Sequence, residues 1–171
     1  MNRFSIRQAV ETDFAAIMRL YEDARVFMRG NGNPEQWGTF HPPEELVRAD
    51  IREGCGFVCE CAAGTPQDIC AVFAFLTGED PTYKIIYHGR WLNSEPYGVV
   101  HRIAASRAYK GAGAFCLDWA FEQCGNLRID THRDNRPMRN LLAKLDFAYC
   151  GIIDTHGFGE RLAYQKYASK R

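Results

Sequence analysis

The sequence predicts a single α/β domain over residues 1–171, a mixed sheet with helices on both faces. Three observations predict it. The apolar periodicity changes along the chain in the order strand, two helices, three strands, helix, strand, helix, two strands. A strand-like run at 97–104 leads through a short turn into a glycine-rich helix opening. No repeat, linker or low-complexity stretch divides the chain, and 171 residues are enough for one core and too few for two comfortable ones.

Each element has its own signal. Phe4-Ser5-Ile6-Arg7 alternates as a first strand. Thr12 or Asp13 can cap a helix whose buried face is Phe14, Ile17, Met18, Tyr21, Ala24, Phe27 and Met28, and Gly30-Asn31-Gly32-Asn33-Pro34 ends it. Pro42-Pro43 leads into a second helix, about 44 to 52, closed by Gly54. Two strands, 56–62 and 69–76, are joined by a predicted hairpin turn over 63–68. Residues 77–95 are irregular yet rich in aromatics, which predicts packing over another part of the fold. An apolar helix follows from about 114 to 123, then a strand at 127–131. Asn135 caps a helix through Leu145 with Pro137 in its first turn, burying Met138, Leu141, Leu142 and Leu145. Strands at 147–153 and 161–167 complete the chain.

Composition narrows the function. Lys plus Arg equals Asp plus Glu at 21 each, so net charge gives no support to a nucleic-acid or anionic-membrane partner. No apolar run spans a bilayer and the first residues lack a signal-peptide pattern, so a cytoplasmic protein is expected. The seven cysteines form no Cys-x-x-Cys pair and match no zinc spacing; reduced core cysteines and no metal are expected.

The chemistry-bearing stretch is Val99 to Phe115. Glycines allow close approach of an anion, and the first amides of a helix point outward with the positive end of its dipole. The Walker spacing is absent, and a dinucleotide fingerprint would need glycine at Cys116. By itself Gly111-Ala112-Gly113 also fits a tight turn with close helix–strand packing.

In its setting, Lys110-Gly111-Ala112-Gly113-Ala114-Phe115 resembles the Gln/Arg-x-x-Gly-x-Gly/Ala motif of the GNAT superfamily of N-acetyltransferases. Phe115 stands at the motif's last, small position. Asn135-x-x-Met138-x-x-Leu141-Leu142-x-Lys144-x-Asp146-Phe147 is similar to the family's Asn-x-x-Ala-x-x-Leu-Tyr-x-Lys-x-Gly-Phe, and Ile6-Arg7-x-Ala9-x-x-x-Asp13-x-x-x-Ile17 to its usual opening. The resemblance implies a mostly antiparallel sheet of six or seven strands whose middle strands splay apart. Acetyl-CoA would lie between the strands at 97–105 and 127–131, as acyl donor. Amides of Lys110, Gly111, Ala112, Gly113 and Ala114 would hold its pyrophosphate, backbone groups near Ile103 and Ala105 its pantetheine arm, and Asn135 the far side. Asn135 fits a helix cap equally well.

Transfer to an amine needs a base. Alignment on Lys110 gives that place to His101, on one strand face with Ile103 and Ala105; His132 and Asp130 are rivals. The family's usual acid, a Tyr, is Leu142 here. Trp37, Phe40, Tyr83, Tyr87 and Trp91 either line an acceptor pocket or belong to the core, with Trp37, Tyr83 and Trp91 the candidates for acceptor contact. The expected acceptor is a primary amine of a small molecule. A protein or peptide amine, an acyl-CoA-binding module without chemistry, and an interaction domain are the alternatives. Acyl chain length and homodimerisation stay open.

Overall fold

The structure, a computed structural model, describes residues 3–62 and 68–168. Residues 63–67 of the expected hairpin turn lie outside the described residues. The strands are β1 (Phe4–Gln8), β2 (Gly56–Cys61), β3 (Asp68–Thr77), β4 (Gly98–Ala105), β5 (Asn126–Thr131), β6 (Ala148–Asp154) and β7 (Glu160–Tyr167). The helices are α1 (Phe14–Gly30), α2 (Glu44–Arg52), α3 (Ala112–Cys124) and α4 (Arg136–Lys144).

Among the described residues the strands form one sheet in the order β1-β2-β3-β4-β5-β7-β6. Every pairing is antiparallel except β4 with β5, so the sheet is mixed and mostly antiparallel. On one face, Cys116, Leu117 and Ala120 of α3 and Leu142 of α4 pack on Cys59, Phe73, Leu127 and Ile129. On the other, Ile17 and Tyr21 of α1 and Val47 of α2 pack on Val58, Val72 and Ala104. Both faces are thus closed by amphipathic helices, and the apolar contact holds the layers together.

The start of α1 departs from expectation. Asp13 does not cap it: its carboxylate accepts from the Val10 amide at 2.8 Å and from both Arg7 terminal nitrogens at 2.7 and 3.0 Å. A forked, charge-assisted pair outcompetes a neutral amide for the same oxygens. The aromatic segment behaves as predicted. A 3-10 turn at Pro81–Tyr83 drives Tyr83 against Val99, Ile153 and Ala163, with Trp91 and Tyr97 beside it. The Arg128 guanidinium lies 4.2 Å from the Trp91 ring centre and 3.8 Å from that of Tyr97.

Candidate active site

The site begins with a defect in β4. His101 pairs with Ala74 and Ala104 with Val72, so β4 carries one residue more than β3 between those pairs. Arg102 takes the extra position at φ 52, a left-handed conformation that costs any residue with a Cβ energy. Contacts from both ends hold it there. Its guanidinium grips the Asp50 carboxylate of α2 in a fork at 3.0 and 2.7 Å, and its carbonyl accepts from the Tyr21 hydroxyl at 2.9 Å. The bulge breaks the alternation along the strand. Ile103 packs with the α3–α4 core, whereas His101 sits against Tyr83, ring centres 5.9 Å apart. The expected common face for His101, Ile103 and Ala105 is therefore overturned.

Next to the bulge the sheet opens. β4 and β5 pair only through Gly98 with Leu127 and Val99 with Arg128. Among the described residues, the β4 edge facing β5 has no ladder partner beyond Val99, as the expected splay requires. A cavity of about 330 Å³ lies in this gap, and a second of about 450 Å³ adjoins it between β4, α1 and α4. Met28, Ile103, Asn135 and Met138 line both. The larger runs past Ala104, Ala105 and the turn Ser106–Ala108 toward Pro137 and Leu141 of α4.

At the opening of α3, Gly111 adopts φ 93, a conformation natural to glycine. The Ala112 amide donates to the Tyr109 carbonyl at 3.2 Å. Among the described residues, the amides of Lys110, Gly111, Gly113 and Ala114 have no acceptor within the protein. A Cβ on Gly113 would lie 3.7 Å from both Ala105 Cβ and Leu141 Cδ2, so no protein atom demands glycine there. Free amides and a helix dipole together fit a phosphate-bearing group, although none of Lys110 to Ala114 lines either cavity. Phe115 turns the other way, onto Phe4 and the core, with ring centres 5.6 Å apart.

His101 and Asp130 face each other in the smaller cavity. His101 Nε2 is 2.6 Å from Asp80 Oδ2, and its Nδ1 is 4.0 Å from Asp130 Oδ1. Asp80 also accepts from the Thr82 amide and hydroxyl at 2.9 and 2.6 Å. Burial disfavours its charge, but the bonds from His101 and Thr82 outweigh this and hold its carboxyl down at about 2. An ionised Asp80 can only accept, so Nε2 carries the proton, and Nδ1 of a neutral His101 is left with its lone pair. Asp80 was not foreseen from the sequence; its local signal is Asp80-Pro81-Thr82, a capping residue followed by proline.

The remaining candidates divide. Trp37 lines the smaller cavity, edge-on to Tyr21. Tyr83 and Trp91 do not: Tyr83 is 1% exposed, its hydroxyl donates to Asp130 Oδ1 at 2.7 Å, and Trp91 Nε1 donates to the Tyr83 carbonyl. They stand behind the wall and fix Asp130. Asn135 caps α4 through the Met138 amide and donates to Gln36 Oε1 at 2.9 Å, while also lining both cavities. His132 Nδ1 accepts from the Asp134 amide, away from the cavities. Leu142 is buried in the core. The seven cysteines are free thiols and none lines either cavity. Among the described residues no three His, Cys, Asp or Glu side chains are placed to hold a metal ion.

Similar proteins agree with this architecture. A GNAT-family acetyltransferase of Streptococcus agalactiae superposes with a TM-score of 0.85 at 32% identity, over 98% of this chain and 96% of that one. With that identity over that length, this chain belongs to the GNAT family of acetyltransferases. Two more distant structures share the fold. One is yncA of Salmonella typhimurium, solved with its cofactor acetyl-CoA, at 14% identity, a TM-score of 0.61 and coverage of 99% and 96%. The other is the NatC complex bound to Gag peptide and CoA, at 12% identity, a TM-score of 0.65 and coverage of 98% and 99%. No protein-family model matches the sequence, and no curated protein matches it either.

Proposed function

We propose that this chain is an N-acetyltransferase that uses acetyl-CoA as donor and a primary amine of a small molecule as acceptor. The observation that carries the reading is the row of unpaired amides at the start of α3, where Gly113 lies against Ala105 and Leu141 of the larger cavity's wall. Lys110, Gly111, Gly113 and Ala114 would hold the pyrophosphate. The unpaired β4 edge at Ile103 and Ala105 would pair with the pantetheine arm as an added strand does. Acetyl-CoA supplies an activated thioester carbonyl.

The protein's own part is to hold the amine and receive a proton. An ammonium is not nucleophilic, so the acceptor must become neutral before it attacks. His101 Nδ1, with Asp80 fixing the opposite nitrogen, is the base, and Asp130 lies across from it to attract the cation first. As the nitrogen–carbon bond forms, the carbon–sulfur bond breaks and the sulfur leaves as thiolate. With Leu142 in the usual acid position, that departure relies on the intrinsic acidity of the thiol or on water.

The test is thiol release from acetyl-CoA across a panel of small amines, alongside calorimetric CoA binding. CoA binding together with amine-dependent release is expected. CoA binding without release from any amine would leave a binding module, and no binding at millimolar CoA would remove both.

A further inference from the structure

Most of the charged groups that line the smaller cavity are tied to partners within the protein. Arg102 is paired with the Asp50 carboxylate, and Asp80 is held by hydrogen bonds from His101 and Thr82. His41 is held neutral: burial and the nearby Arg102, Arg161 and Arg25 push its imidazole down to about 4. Two groups are left over. The Asp130 carboxylate accepts from the neutral Tyr83 hydroxyl, and its nearest basic nitrogen is His101 Nδ1 at 4.0 Å. Arg161 is 6% exposed and, among the described residues, forms no ion pair. Its guanidinium is fixed by three carbonyls instead, those of Phe158, Glu160 and Gln36 at 2.7, 3.0 and 3.2 Å. Carbonyls orient a guanidinium without neutralising it, and the carboxylate that favours its charge is Asp130, at a distance too long for an ion pair.

The sheet register sets their spacing. Asp130 pairs with Ala163, two residues from Arg161 along β7, so the two side chains share a face as diagonal neighbours. Diagonal neighbours lie about 7–8 Å apart. An α-amino acid carries its ammonium and carboxylate on a single carbon. Two side chains rooted at that backbone spacing on one face can each reach one end of such a molecule, with a charge-assisted hydrogen bond of about 2.8 Å. The volume of about 330 Å³ suits a molecule of that size.

We propose that the acceptor is a small α-aminocarboxylate, its amine between Asp130 and His101 and its carboxylate on Arg161. This rests on the transferase reading above and narrows it to a substrate class. A zwitterion meets both unbalanced charges, whereas a simple amine leaves Arg161 bare and a peptide amine brings no carboxylate to it. Arg161 thus selects the substrate, and His101 acts on it.

The experiment compares matched acceptors on the intact chain. Each of the standard L-amino acids is assayed beside its primary amide and its decarboxylated amine, by thiol release from acetyl-CoA. At least one amino acid should exceed both its amide and its amine by tenfold or more in kcat/KM. Arg161→Lys should lower kcat/KM for that amino acid by about tenfold or more and for its decarboxylated amine by a clearly smaller factor, and that difference marks a lost carboxylate contact. The matched acceptors test the idea even if the variant fails to fold. Amides or decarboxylated amines that equal or beat every amino acid would overturn the aminocarboxylate assignment and leave the transferase standing. Silence across the whole panel with CoA still bound would overturn both.

Discussion

The Asp80 carboxylate takes the His101 Nε2 hydrogen bond at 2.6 Å across 21 residues of chain, from a 3-10 turn onto the bulged strand β4. That contact fixes which imidazole nitrogen faces the cavity. His101→Ala should lower kcat by about a hundredfold or more and leave CoA affinity unaltered. Asp80→Asn should also lower kcat, by a smaller factor, since the amide can donate to Nε2 and reverse the tautomer. Steady-state kinetics beside CoA calorimetry checks both, and an unchanged kcat in His101→Ala would remove it from the chemistry.

The two glycines at the start of α3 should respond differently. Gly111 sits at φ 93, so Gly111→Ala should destabilise the fold by about 1 kcal/mol. Gly113 has ordinary distances to its neighbours, so Gly113→Ala should fold normally and weaken CoA binding by about tenfold. Thermal melts and CoA titrations separate these outcomes.

Arg102 and Asp50 form a largely buried pair beneath the bulge, with side chains 16% and 11% exposed. Asp50→Ala strands the guanidinium without its carboxylate. A loss of about 3 kcal/mol is expected in denaturant unfolding.

His41 makes stability depend on pH. Its folded value of about 4 lies below the ordinary 6.5 because the neutral ring is buried near arginines. Between those values the unfolded chain binds a proton that the folded chain refuses, so stability rises with pH across that window. Its full effect holds above about 6.5 and fades as pH falls to 4. Denaturation midpoints of His41→Gln should vary less between pH 4 and 6.5 than those of the parent.

Much of this was legible in the sequence because punctuation and periodicity agreed. Gly30-Asn31-Gly32, Pro42-Pro43 and Asn135 mark helix ends within a residue or so of their places. The opening of α3 carried its glycines and its lack of a competing motif in plain view. What escaped was non-local. The bulge falls on Arg102, a residue with no turn propensity, and exists only because Asp50 and Tyr21 hold it from separate helices. Asp80 and Arg161 carry no periodicity that separates them from surface charges, and their roles come from what folds around them. Tyr83 and Trp91 were readable as aromatic, but which side of the wall they occupy is set by β6 and β7.

The two cavities meet at Met28, Ile103, Asn135 and Met138. With a shared partition, the proposed donor and acceptor would touch the same four side chains, and any change that one makes in the affinity of the other would be returned by the same factor. No thiol borders either compartment to carry an acyl group between visits. In the direct transfer proposed above both reactants are seated together, so initial-rate plots with both varied should intersect instead of running parallel.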